Sequence, residues 1–209
     1  MRTPSILLTI VLAATVAAGC GEERRPDAGA TAGSVSKTFP ITGRTPSGAR
    51  YRVSPGKPSP DDDVVASWCL RLAYTGAITL VDDAGHRDPF TNGLDTCGTA
   101  PAPMLSGEIH VNCAADDLFV FGQARPGAGG VVLETAGGET IAARRGPPVP
   151  DSGFDGFSYV LTARLDQLPA SVRSAADGKQ RARIPRRSAV CRRFPGAGRS
   201  EIAPLLSFP

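Results

Sequence analysis

Apolar and polar residues alternate over short stretches of this chain, and that period of two constrains the fold more than any other feature. In Trp68-Cys69-Leu70-Arg71-Leu72-Ala73-Tyr74, the residues Trp68, Leu70, Leu72 and Tyr74 share one face. In Ala49-Arg50-Tyr51-Arg52-Val53 the apolar residues take one side and the arginines the other. Side chains alternate across a strand, so both stretches read as half-buried β-strands. Comparable runs lie at 77–81, 109–113, 118–124, 131–135, 140–144, 157–165, 171–175 and 181–184. One helical rival exists, since Leu161, Leu165, Leu168 and Val172 fall at helix spacing. Pro169 interrupts it, however, and Phe157, Tyr159 and Leu161 continue a period-two face.

The connections carry turn chemistry. Gly137-Gly138 and Asp177-Gly178 read as two-residue hairpin linkers able to take positive φ, with Thr75-Gly76 a weaker third case. Pro and Gly crowd what read as longer loops at 54–60, 88–103 and 146–156. Many short strands with no sustained helical stripe predict an all-β fold: a single antiparallel β-sandwich, Ig-like in general plan, with a partly closed barrel as the alternative. Cys69 adjoins Trp68 on the opposite face and no Cys-Trp-Cys spacing is evident, so the Ig likeness is one of architecture. Residues 37–209 contain no composition shift or internal repeat and read as one domain ending in a basic segment.

The amino terminus has a different character. Arg2 and the terminal amine precede an apolar run from Ile6 to Val16, then Ala17, Ala18 and Gly19, then Cys20 followed by Glu22, Glu23, Arg24 and Arg25. A basic start, a short apolar core and small residues mark an export signal, too short for a span of about 20 apolar residues. With Cys20 placed directly after the small residues, the stretch resembles the lipobox of bacterial lipoproteins, although Ala17 stands where leucine is usual. The resemblance implies a signal peptide over 1–19, acylation (palmitate-type chains) on Cys20, and a cell-membrane location on the extracytoplasmic face. Residues 20–36 then form the lipidated cysteine and a Gly-, Ala- and Ser-rich tether.

Setting Cys20 aside leaves Cys69, Cys97, Cys113 and Cys191, an even number suited to two disulfides in an exported chain. Their wide spacing lacks the close pairs of a structural zinc site. Of the three possible pairings, Cys69–Cys97 is preferred because it staples the long loop after Asn92 to the sheet surface. Cys113–Cys191 follows by elimination and ties down the C-terminal region.

Candidate chemistry is sparse. His86 sits in an Asp- and Gly-rich turn, and His110 shares the polar face of its strand with Glu108 and Asn112, a face expected to point outward. Asp61-Asp62-Asp63 and Asp116-Asp117 lack EF-hand spacing and read as solvated loops. No G-x-S-x-G, Walker-type or H-E-x-x-H pattern occurs, and Asp151-Ser152-Gly153 adds no hydrolase signature. The net charge is +3, and the basic residues are densest near the C-terminus: Arg181, Arg183, Arg186, Arg187, Arg192 and Arg193, among others, with no acid between 179 and 200. Outside the membrane such a cluster suits anionic lipid or envelope polymer in preference to nucleic acid. Its plainer reading is a strand face followed by a solvated tail.

The expectation is therefore a membrane-anchored envelope lipoprotein, a non-enzymatic binding or structural module with no catalytic residue, cofactor or metal. The alternative is an exported enzyme or metal-dependent protein using His86 or His110, recognisable by a cleft in which Glu108, Asp88 or Asp117 converges on a histidine.

Overall fold

The computed structural model describes residues 34–57, 68–74, 78–81, 84–90, 93–98, 104–150, 155–195, 198 and 201–208. The lipobox, Asp61 to Asp63, the Thr75-Gly76 turn and Asp151-Ser152-Gly153 lie outside these residues. The protein is all-β and sandwich-like, and its strands form three sheets.

The first sheet contains β1 (Ile41–Arg44), β2 (Arg50–Pro55), β3 (Trp68–Tyr74) and β6 (Leu94–Gly98), in that spatial order and all antiparallel. The central sheet runs β11 (Arg144–Arg145), β12 (Phe157–Arg164), β8 (Asp117–Ala124), β7 (Leu105–Asn112), β15 (Glu201–Phe208), β4 (Ile78–Val81) and β5 (Arg87–Phe90). The third sheet is β10 (Thr140–Ala142), β9 (Val131–Thr135), β13 (Ala170–Ser174) and β14 (Gln180–Ile184). A short helix, α1 (Arg187–Arg192), precedes β15.

The central sheet is covered on both faces, so the expected sandwich gains a third layer. On β8, Leu118, Val120 and Ala124 pack into a core with Leu133, Val172 and Ile184 of the third sheet. The intervening Phe119 and Phe121 pack with Tyr51, Val53, Trp68 and Leu72 of the first. Every residue of β8 is buried for this reason. Two-sided burial also overturns one expectation from alternation: His110, expected outward, is buried, because the first sheet lies over the polar face of β7.

Three other expectations are corrected. Residues 88–103 are not one loop, since β5 ends there and β6 carries Cys97 in direct register with Cys69. Nor is the C-terminal segment a solvated tail. α1 buries Val190, and β15 enters the central sheet antiparallel to β7 and parallel to β4. The connections at Gly138 and Gly178 do adopt positive φ, 80° and 63°, but they span four residues between β9 and β10 and five between β13 and β14. Disulfides join Cys69 to Cys97 within the first sheet, and Cys113, just after β7, to Cys191 in α1.

Candidate functional site

A concavity lies on the first sheet. It is a groove of about 600 Å³ lined by Thr42, Arg44, Arg50, Arg52, Ala73 and Tyr74, with Gly43 and Tyr51 beneath. Alternation builds it. Arg50 and Arg52 point outward from β2 while Tyr51 and Val53 point into the core. In the β1–β2 register Arg44 stands opposite Arg50 and Thr42 opposite Arg52, so all four side chains share the outer face. Gly43 is required beneath them, because a Cβ there would collide with the Tyr51 ring.

A buried carboxylate holds this hairpin in place. Asp117, the first residue of β8, accepts hydrogen bonds from the Ser47 amide (3.1 Å), the Ser47 hydroxyl (2.5 Å) and the Tyr74 hydroxyl (3.1 Å). The groove is thus fastened to the central sheet at its β1–β2 turn. Burial of the Tyr74 phenol, the nearby Asp117 charge and the hydrogen bond to it push the Tyr74 pKa up to about 12. Tyr51 is also raised, chiefly by burial, against an opposing pull from the Arg144 guanidinium. Arg144 lies beside the groove, where its Nη1 donates to the Thr42 carbonyl and its Nε to the Ser34 hydroxyl at 2.8 Å.

Elsewhere the protein pairs its arginines: Arg71 with Asp95, Arg87 with Glu201, Arg173 with Glu134 and Arg181 with Asp177. At the groove Arg44, Arg52 and Arg144 have no carboxylate partner among the described residues. The sequence accounts for this, since residues 28–60 contain Lys37, Arg44, Arg50, Arg52 and Lys57 and no acid at all. That run is a signal sequence reading passed over in favour of the denser C-terminal cluster.

In that cluster several charges are engaged. Arg181 pairs with Asp177 at 2.9 Å and Arg187 with Asp116 at 2.8 Å. Arg192 donates to the Ser188 carbonyl, and Arg193 donates to the Leu205 carbonyl and lies over the Phe194 ring. Arg183 lines a smaller depression of about 280 Å³ together with Glu134, and Arg186 is exposed before α1.

The histidines separate. His86 is exposed in the turn before β5. The His110 side chain is 3% exposed, with Nε2 2.7 Å from Glu108 Oε2 and its ring tilted on Phe121 at 5.3 Å. Its Nδ1, the Ser106 hydroxyl and both polar atoms of the Gln123 amide are buried without a hydrogen-bond partner among the described residues. Asp117 faces Ser47 and Tyr74 instead of either histidine, and Asp116 pairs with Arg164 and Arg187. Among the described residues no group of three or more potential metal ligands converges. No family model matches the chain, and neither does any curated protein or solved structure.

Proposed function

We propose that the chain is a lipid-anchored extracytoplasmic lipoprotein of the cell envelope that binds a ligand without transforming it. The observation that carries this reading is the groove at Arg44, Arg50 and Arg52. It is a concave, cationic surface, with no nucleophile–base pair among the described residues that line it. The anchor rests on the apolar run ending at Cys20, and the two disulfides fit a chain that folds outside the cytosol. Anionic polymer or lipid at Arg183, Arg186 and their neighbours belongs to the same proposal as a further contact.

Replacing Cys20 with Ser tests the anchor. The variant is expected in the soluble fraction or unprocessed, and the wild type in the membrane with acyl mass on Cys20. Equal membrane retention of both, without acyl mass, contradicts the reading.

A second reading, an exported enzyme or metal-dependent protein working through His110, has one observation in its favour, the 2.7 Å contact with Glu108. A carboxylate that orients an imidazole is a common feature of general-base sites. Here the pair lies between two sheets, and the Glu108 side chain is the more exposed of the two, at 23% against 3%.

A further inference from the structure

The two disulfides have different surroundings. Cys113 and Cys191 pack against the larger core, and the Arg187 guanidinium reaches the Cys113 carbonyl. Cys69 and Cys97 stand instead on the outer face of the first sheet, opposite the side that buries Trp68, Leu70, Leu72 and Leu94. Their bridge joins directly opposed residues of β3 and the edge strand β6.

That bridge is open on one side only. Cys69 is 2% exposed, whereas Cys97 is an exposed residue. Gly56 accounts for the shielding of Cys69. Its amide donates to the Cys69 carbonyl at 2.9 Å, and a Cβ on it would stand 3.2 Å from the Cys69 Cβ and 2.7 Å from Asp95 Oδ1. The chain after β2 thus lies against Cys69 and leaves Cys97 open. Disulfide exchange begins when a thiolate reaches one of the two sulfurs, so access decides which bridge opens first and at which atom.

The pairing of β3 with β6 does not depend on the bridge. The strands are in register from Trp68 opposite Gly98 to Leu72 opposite Leu94. Beside the bridge, Arg71 donates to the Asp95 carboxylate through Nε at 2.8 Å and Nη2 at 2.6 Å. Trp68, Leu70, Leu72 and Leu94 fix both strands to the core. Opening the bond therefore leaves the two thiols opposite each other, placed to close again.

We propose that Cys69–Cys97 is an exchange site, opened and reclosed through Cys97 by an extracytoplasmic dithiol, while Cys113–Cys191 stays closed as a structural tie. A thiolate of the dithiol attacks Cys97 Sγ. The bond to Cys69 breaks, and Cys69 Sγ leaves with the electron pair and takes up a proton. The second thiolate of the dithiol then attacks its own sulfur in the mixed disulfide, and Cys97 Sγ leaves and is protonated in turn. The dithiol ends as a disulfide, having passed a pair of electrons and two protons to the protein. Closure is the reverse, with an oxidised partner. The chemistry is independent of the groove and of the lipid anchor; only the compartment in which the dithiol is met rests on the export reading.

The test uses the full chain, folded and oxidised, with dithiothreitol as the dithiol. Samples are quenched over time with a maleimide and read by mass spectrometry. Cys69 and Cys97 are expected to be labelled at least about tenfold faster than Cys113 and Cys191, following their difference in access. The far-UV circular dichroism should keep its native form while this pair alone is open, and oxidised glutathione should restore the bridge once the reductant is removed. Cys69→Ser leaves Cys97 as a thiol that should form a mixed disulfide with oxidised glutathione. Cys97→Ser leaves Cys69, which should do so far more slowly in the native chain.

Equal labelling rates for the two bridges, or earlier opening of Cys113–Cys191, overturns the proposal. Loss of the native spectrum on opening Cys69–Cys97 alone overturns it too, because the bridge is then a structural tie. A mixed disulfide that forms as fast at Cys69 as at Cys97 overturns the assignment of Cys97 as the attacked residue. Where a single variant fails to fold, the labelling rates of the wild type decide by themselves.

Discussion

Asp117 and Tyr74 show how one buried carboxylate organises a surface. The carboxylate is fully buried and receives donors from Ser47 and Tyr74, so the β1–β2 turn and the end of β3 converge on it. Burial of the Tyr74 phenol, together with the Asp117 charge, raises its pKa to about 12. In the unfolded chain a tyrosine ionises near its ordinary value of about 10. A folded pKa raised above the unfolded one contributes stability that is complete below pH 10 and is lost as pH rises toward 12. The wild type should therefore lose stability across that window more steeply than Tyr74→Phe. Asp117→Asn removes the charge and the anionic acceptor, so Tyr74 should titrate at lower pH. Ultraviolet difference titration of the phenolate, wild type against each variant, checks both. Tyr51 and Tyr159 are also raised by burial, which is why the comparison is made between variants. An unchanged phenolate titration in Asp117→Asn would contradict the account.

In the β1–β2 hairpin Arg44 faces Arg50 across the strands. Arg44→Glu turns this pair into a cross-strand attraction of about 0.2–1 kcal/mol. At the upper end that raises the melting temperature of a chain this size by roughly 2–4 °C. A variant that melts lower would show that the hydrogen bond from Arg44 to the Gly48 carbonyl outweighs the cross-strand attraction. The same elements show what periodicity can and cannot reveal. β3 and β9 match their expected bounds because each alternates cleanly against a core. β1, β5, β6 and β15 were not legible: β6 is five residues of which only Leu94 and Cys97 are apolar, and β15 contains Pro204 and a register shift beside it. Their identity as strands comes from partners distant in sequence, which local pattern does not encode. His110 was misplaced for a related reason, since alternation predicts a polar face but not a second sheet lying over it. The alternating arginines of β2 were legible; the groove was not, because it also needs β1 and the register that sets Arg44 against Arg50.

At the scale of the whole molecule, the two disulfides constrain different things. Cys69–Cys97 links directly paired residues of β3 and β6 and closes a separation of 28 residues inside one sheet. Cys113–Cys191 closes a separation of 78 residues and fixes α1 to the end of β7, just before the chain returns as β15 into the middle of the central sheet. The C-terminal strand fills the place between β7 and β4, so the central sheet is complete only when the last strand of the chain has docked. In the chain-entropy picture a cross-link stabilises by restricting the unfolded ensemble, more for longer loops: about 3.6 kcal/mol for the shorter separation and about 4.5 kcal/mol for the longer. Both figures are large against a typical domain stability of about 5–15 kcal/mol. Replacing Cys113 and Cys191 together with Ala should therefore destabilise the protein more than replacing Cys69 and Cys97 together. The excess should be about 1 kcal/mol from chain entropy, plus whatever docking of β15 loses when α1 is released. Denaturant titration of the two double variants gives the comparison. Hydrogen exchange locates the second contribution: faster exchange in β15 and the adjoining part of β7 is expected for the Cys113/Cys191 variant alone. A larger loss from the Cys69/Cys97 variant would mean that the first sheet, and not the return of β15, is where the fold is most dependent on a covalent tie.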